Sequence, residues 1–166
     1  RVINAIPPYV QLETSLMSSA FPTEEKELGN YILDALGTEE EEFITTYDLR
    51  TFPMRVQSLN RTLIDKVFAV CDYYLQGKAH RNARHLYDIY KLTEHVEIDD
   101  DFLKLVKEVR AHRIAMGSEI APAAPLDVDI LELVRKVCDE DFYKEDYRET
   151  TLKLISDSLE YEMLKK

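Results

Sequence analysis

Three charged residues stand among apolar neighbours at helical spacing. Lys66 lies within Arg61-Thr-Leu-Ile-Asp-Lys-Val-Phe-Ala-Val-Cys-Asp-Tyr-Tyr-Leu75, and Arg84 and Asp88 lie within Arg84-His-Leu-Tyr-Asp-Ile-Tyr-Lys-Leu92. A charge buried alone is costly, so such groups are paired or used. Arg84 and Asp88 are helix-face neighbours, where an ordinary exposed ion pair contributes only about 0.3–0.5 kcal/mol. Arg81 and Lys91 fall near the same stripe and make it locally basic, which is the sign a phosphate requires. Lys66 either snorkels to water along its stem or points into the space between two facing helices. In the second case it binds a phosphate or neutralises Asp88. Glu13 is a fourth candidate. It alternates with Val10 and Leu12 on a strand, and is either an exposed carboxylate or an acid presented to a metal.

The elements that must position these residues follow from periodicity. Tyr9–Met17 reads as a strand behind Pro7-Pro8. Pro22 opens a short helix running to about Leu36, with Gly37 as its stop. Glu39 to Glu42 reads as an acidic turn, and Phe43 to Phe52 as a strand or strand pair. From Ser58 the pattern becomes helical. Leu63, Val67, Val70 and Tyr74 form one stripe, and Ile64, Phe68, Cys71 and Leu75 another, so this helix is central and well buried. Gly77 ends it. Further helices run from about His80 to Glu94, from the Asp99-Asp-Asp101 start, and from Asp127 or Asp129. Residues 116–125 are a loop, Asp139 to Tyr147 a polar connector with aromatic anchors, and Arg148 to Leu164 a last helix. The fold class is α+β: the remnant of a small mixed sheet over residues 1–57, then a helical bundle over 58–166.

Composition narrows the chemistry. Lys+Arg 21 against Asp+Glu 32 gives a net charge of −11, which repels nucleic acid and anionic membranes over most of the surface. No apolar run reaches the ~20 residues that span a bilayer, and no signal peptide is present. Cys71 and Cys138 sit in apolar helical patterns and read as free thiols in a reducing cytoplasm. His80, His85, His95 and His112 lack zinc-ligand spacing. No G-x-S-x-G turn supports a serine nucleophile, and four glycines make no phosphate-cradling loop. The start at Arg1, without methionine, reads as the middle of a gene product.

Thr62-Leu-Ile-Asp-Lys-Val-Phe-Ala-Val-Cys-Asp-Tyr-Tyr and Arg84-His-Leu-Tyr-Asp-Ile-Tyr together resemble the nucleotidyltransferases of the AbiEii/AbiGii toxin family, from type IV toxin–antitoxin and abortive-infection (phage defence) systems. Pro8-Tyr-Val-Gln-Leu-Glu-Thr and Phe142-Tyr-Lys-Glu-Asp-Tyr-Arg-Glu-Thr-Thr extend the resemblance over most of the chain. It implies a polymerase-β-like core with a helical C-terminal half, an NTP substrate, Mg²⁺, and transfer to RNA such as a tRNA end. A cognate antitoxin is the implied partner, with no membrane and no DNA. Lys66 and Asp88 would be the catalytic residues, Lys66 and Arg84 the nucleotide-binding ones, and Glu13 the acid on a core strand. The family's Gly-Gly/Ser turn and metal-ligating Asp-x-Asp are not found in their places. Asp99-Asp-Asp101 carries the letters but sits at a helix start. The expectation is a C-terminal portion, inactive alone, whose remaining motifs lie upstream of Arg1. A different class also fits the residues: a non-catalytic helical interaction module, for which the acidic charge and ten tyrosines speak.

Overall fold

Residues 21–36 and 40–165 are described by a computed structural model and divide into two units, 21–58 and 59–165. Together they are mixed α+β, a two-stranded antiparallel sheet ahead of a helical region. The expected strand at Tyr9–Met17, with Glu13, lies outside the described residues.

In the first unit, Thr23–Leu28 (β1) pairs antiparallel with Phe52–Gln57 (β2), in the register Thr23↔Gln57 to Leu28↔Phe52. Between them run two short helices, Tyr31–Leu36 (α1) and Glu41–Thr46 (α2). Asn30 ties this insert together: its Oδ1 accepts from Leu33 N at 2.9 Å, and its Nδ2 donates to Leu49 O at 2.9 Å. Three readings of the sequence are corrected here. Residues 23–28 are strand, although Thr-Glu-Glu-Lys-Glu-Leu favours helix. Six residues are too few to hold a helix unaided, and pairing with a strand far along the chain overrides a weak propensity. On the strand, Glu24 and Lys26 share one face by the two-residue period and pair at 2.8 Å. Of the expected acidic turn, Glu41 and Glu42 begin α2, where they complement the positive end of the helix. The residues from Phe43 to Thr46 are therefore helix, and only Phe52 of the expected strand is in β2.

The second unit is built around Leu59–Leu75 (α3). This helix is central and largely buried, as the sequence implied, and it enters two cores that divide its apolar residues differently from the two stripes, with Leu75 left exposed. Leu63, Ile64, Phe68 and Cys71 pack with Phe102, Val109, Ala123 and Leu133. Val70 packs with Ala83, Val137, Tyr143, Tyr147 and Tyr161. Burying each large apolar side chain is worth about 1.5–3 kcal/mol. Gly77, at φ +67, takes the left-handed turn that ends the helix.

Arg84–Thr93 (α4), Asp100–Ala115 (α5) and Ile130–Asp139 (α6) follow. The Asp99 carboxylate accepts from Phe102 N at 2.7 Å, and Asp129 from Leu131 N and Glu132 N, so both aspartates are caps. Arg110 of α5 fastens the 116–128 loop, donating to the carbonyls of Ala124, Pro125 and Val128.

The C-terminal part departs from expectation twice. The connector after Asp139 contains a short helix, Lys144–Glu149 (α7). The last helix is instead two single 3₁₀ turns, Thr151–Lys153 and Tyr161–Met163. Ser156-Asp157-Ser158 separates them; such side chains compete for backbone hydrogen bonds, and Ser158 has φ 49°. Tyr143, Tyr147 and Tyr161 are fully buried. Tyr143 Oη donates to Val70 O, and Tyr147 Oη to Leu159 O, each at 2.7 Å. These three tyrosines hold the core and present no surface to a partner.

Candidate active site between two helices

Helical geometry divides the polar residues of α3 between two directions. Arg61, Asp65 and Asp72 follow one stripe, by steps of four and seven. Lys66 and Tyr73, seven apart, follow another and face α4.

The first stripe meets α5. Arg61 Nε donates to Asp65 Oδ2 at 2.9 Å, and Arg113 lies 3.8 Å from Asp65 Oδ1. Arg113 also pairs with Asp72, whose other oxygen accepts from Ala123 N at 2.8 Å. Burial pushes the Asp72 acid up, against the lowering pull of the Ala123 amide and Arg113. The Arg113 guanidinium sits 5.0 Å from the centre of the Phe68 ring. These charges join helix to helix and to the 116–128 loop, and their chemistry is structural.

The second stripe carries the candidate site. Lys66 Nζ lies 2.7 Å from Asp88 Oδ2, both side chains partly open to solvent. Lys66 and Asp88 therefore meet, while the expected Arg84–Asp88 pair does not form. Arg84 is exposed and makes no ion pair among the described residues. The partly shielded interhelical pair outcompetes an exposed one within α4. His85 takes the place assigned to Arg84: buried, it puts Nδ1 3.3 Å from Lys66 Nζ and 3.8 Å from Asp88 Oδ2. Burial pushes the Asp88 acid up, but the Lys66 ammonium, by hydrogen bond and by charge, pulls the other way, and the carboxyl is held below its ordinary value. The sequence did carry a signal for His85, since it stands three residues before Asp88 on the same face.

The start of α4 is fixed from α7. Asp146 accepts from Arg81 N at 2.8 Å and from Ala83 N at 3.1 Å. Arg81, at φ 63°, is thereby held in the left-handed region. Lys91, near the expected basic stripe, is taken up by Asp157 at 2.7 Å. Arg81 and Arg84 remain exposed, with no ion pair among the described residues.

The metal expectation finds no support in these side chains. Among the described residues no three Asp, Glu, His or Cys groups converge as a metal site. Asp99–Asp101 caps α5. Two further Asp-x-Asp spellings are also accounted for: Asp129 caps α6, and Asp141 pairs with Lys144 at 2.8 Å and Lys165 at 2.7 Å. The described residues thus do not fit Mg²⁺ by themselves. Cys71 and Cys138 are free thiols, the first buried and the second half-buried.

The described residues thus form an α+β protein with a lysine–carboxylate pair between two helices. Residues 1–164 match the family described as nucleotidyl transferase AbiEii toxin, type IV TA system, and the chain belongs to that family. No curated protein and no solved structure matches it. No helix among the described residues is long and apolar enough to cross a membrane.

Proposed function

We propose that Lys66 binds the phosphates of a nucleoside triphosphate during nucleotidyl transfer to an RNA hydroxyl such as a tRNA end. The observation that carries this reading is the Lys66–Asp88 contact at 2.7 Å. The two residues of the family-like motifs, on separate helices, form one cluster. In the reaction the acceptor oxygen bonds to the α-phosphorus and gives up its proton to solvent water, the bond to the bridging oxygen of the β-phosphate breaks, and pyrophosphate leaves. Lys66 neutralises charge on the phosphates, and Arg84, exposed one turn before Asp88, supplies a second cation. A general base works best with a pKa near the operating pH. Asp88, held below the ordinary range, is better suited to orienting Lys66 than to taking the acceptor's proton.

A divalent metal, when bound, would stabilise charge on the triphosphate. Its ligands are proposed to come from outside the described residues, with Glu13 as one. With the family's Gly-Gly/Ser turn and Asp-x-Asp not found in their places, the 166-residue chain alone is proposed to be inactive. The intact toxin works in the cytoplasm and is neutralised by a cognate antitoxin. The test is growth on inducing the intact gene. Wild type should arrest growth, and Lys66→Ala should not. Arrest by Lys66→Ala at equal expression would refute the assignment.

A further inference from the structure

His85 is the most enclosed member of the cluster, 7 % exposed. Its ring lies nearly parallel to that of Tyr73, with centres 5.8 Å apart, so its orientation is set by packing. An ammonium group has only protons to give. With Lys66 Nζ at 3.3 Å, His85 Nδ1 must offer its lone pair. The 3.8 Å to Asp88 Oδ2 is too long for Nδ1 to be a donor there. The contact with Lys66 is a hydrogen bond when the ring carries its proton on Nε2 and leaves Nδ1 bare. Lys66 then gives one N–H to Asp88 and one to His85. The third is left in a fixed direction.

We propose that His85 is a positioning residue that, through Nδ1, fixes the Lys66 ammonium so that its remaining N–H meets a phosphate oxygen of the nucleoside triphosphate. This rests on the reading of Lys66 as the phosphate ligand. A lysine tied to Asp88 alone keeps free rotation about the last bonds of its stem. Two acceptors at fixed points remove it, so less ordering is left to the moment of binding.

The test uses the intact protein and the four ribonucleoside triphosphates, each titrated separately, with Lys66→Met as reference. His85→Leu, which removes the acceptor, should weaken nucleotide binding about tenfold, the scale of one hydrogen bond to a charged group. His85→Asn, whose Oδ1 stands near the Nδ1 position, should recover most of that loss at a similar Tm. A merely structural histidine would show no such selective recovery. If Lys66→Met loses binding and His85→Leu binds like wild type, the positioning role is overturned alone. If Lys66→Met also binds like wild type, both readings fall. Nitrogen NMR of the wild-type ring gives an answer independent of any variant's folding. A bare Nδ1 supports the proposal, and an Nδ1–H or doubly protonated ring at neutral pH overturns it.

Discussion

Asp88 answers to burial and to Lys66, and its acidity records the balance. Because its folded pKa is depressed, it stabilises the fold fully above its unfolded value of about 3.9 and loses that contribution as pH falls through the lower folded value. Urea denaturation of Asp88→Asn against wild type should show a difference that stays level from pH 5 to 8 and closes only in acid. A difference that closes near neutrality would contradict the Lys66 contact. At Cys71, burial and then the Asp72 charge push the thiol up to about 12. Iodoacetamide at pH 8 should leave Cys71 unlabelled in the native protein and label it in urea, as read by mass spectrometry. Residue identity alone pointed to Lys66 and Asp88, because charges among apolar neighbours demand partners. For His85 it carried only the i,i+3 spacing from Asp88, which marks a third member only once α3 is known to lie against that face.

At the scale of elements, α3 is held by charges that the sequence showed but did not pair. Asp72→Ala leaves Arg113 mostly buried without its closest anion and removes the acceptor for Ala123 N. The expected cost is about 3 kcal/mol, read by urea denaturation. A change below about 0.5 kcal/mol, typical of neutral surface sites, would contradict it. Asp146 acts on α4 from a distance in sequence. Asp146→Ala strands the Arg81 and Ala83 amides, each worth about 1–3 kcal/mol if left unsatisfied, and their hydrogen exchange should accelerate while that of the α3 amides does not. The helices with strong stripes or caps were legible: α3 from its double periodicity, α5 from Asp99 and α6 from Asp129. Residues 23–28 were not, because their state is set by Phe52–Gln57. The stretch after Arg148 was misread because the apolar spacing of Leu152, Ile155 and Leu159 outweighed the turn chemistry of Ser156-Asp157-Ser158.

For the whole molecule, the excess of acid sets the background against which Arg81 and Arg84 stand exposed near the cluster. The sequence legibly carried the α+β class and the family, the one through the change of periodicity after Ser58, the other through the Lys66 and Asp88 motifs. The carboxylates for a metal were not legible, and in each Asp-x-Asp among the described residues at least one aspartate is committed at a helix end. The most direct test of Lys66 and Asp88 as the working pair is label transfer. The intact protein is incubated with total RNA and each nucleoside triphosphate labelled at the α-phosphate. Wild type should label RNA, while Lys66→Ala and Asp88→Ala, with Tm close to wild type, should not. Labelling by either variant at the wild-type rate would contradict their role.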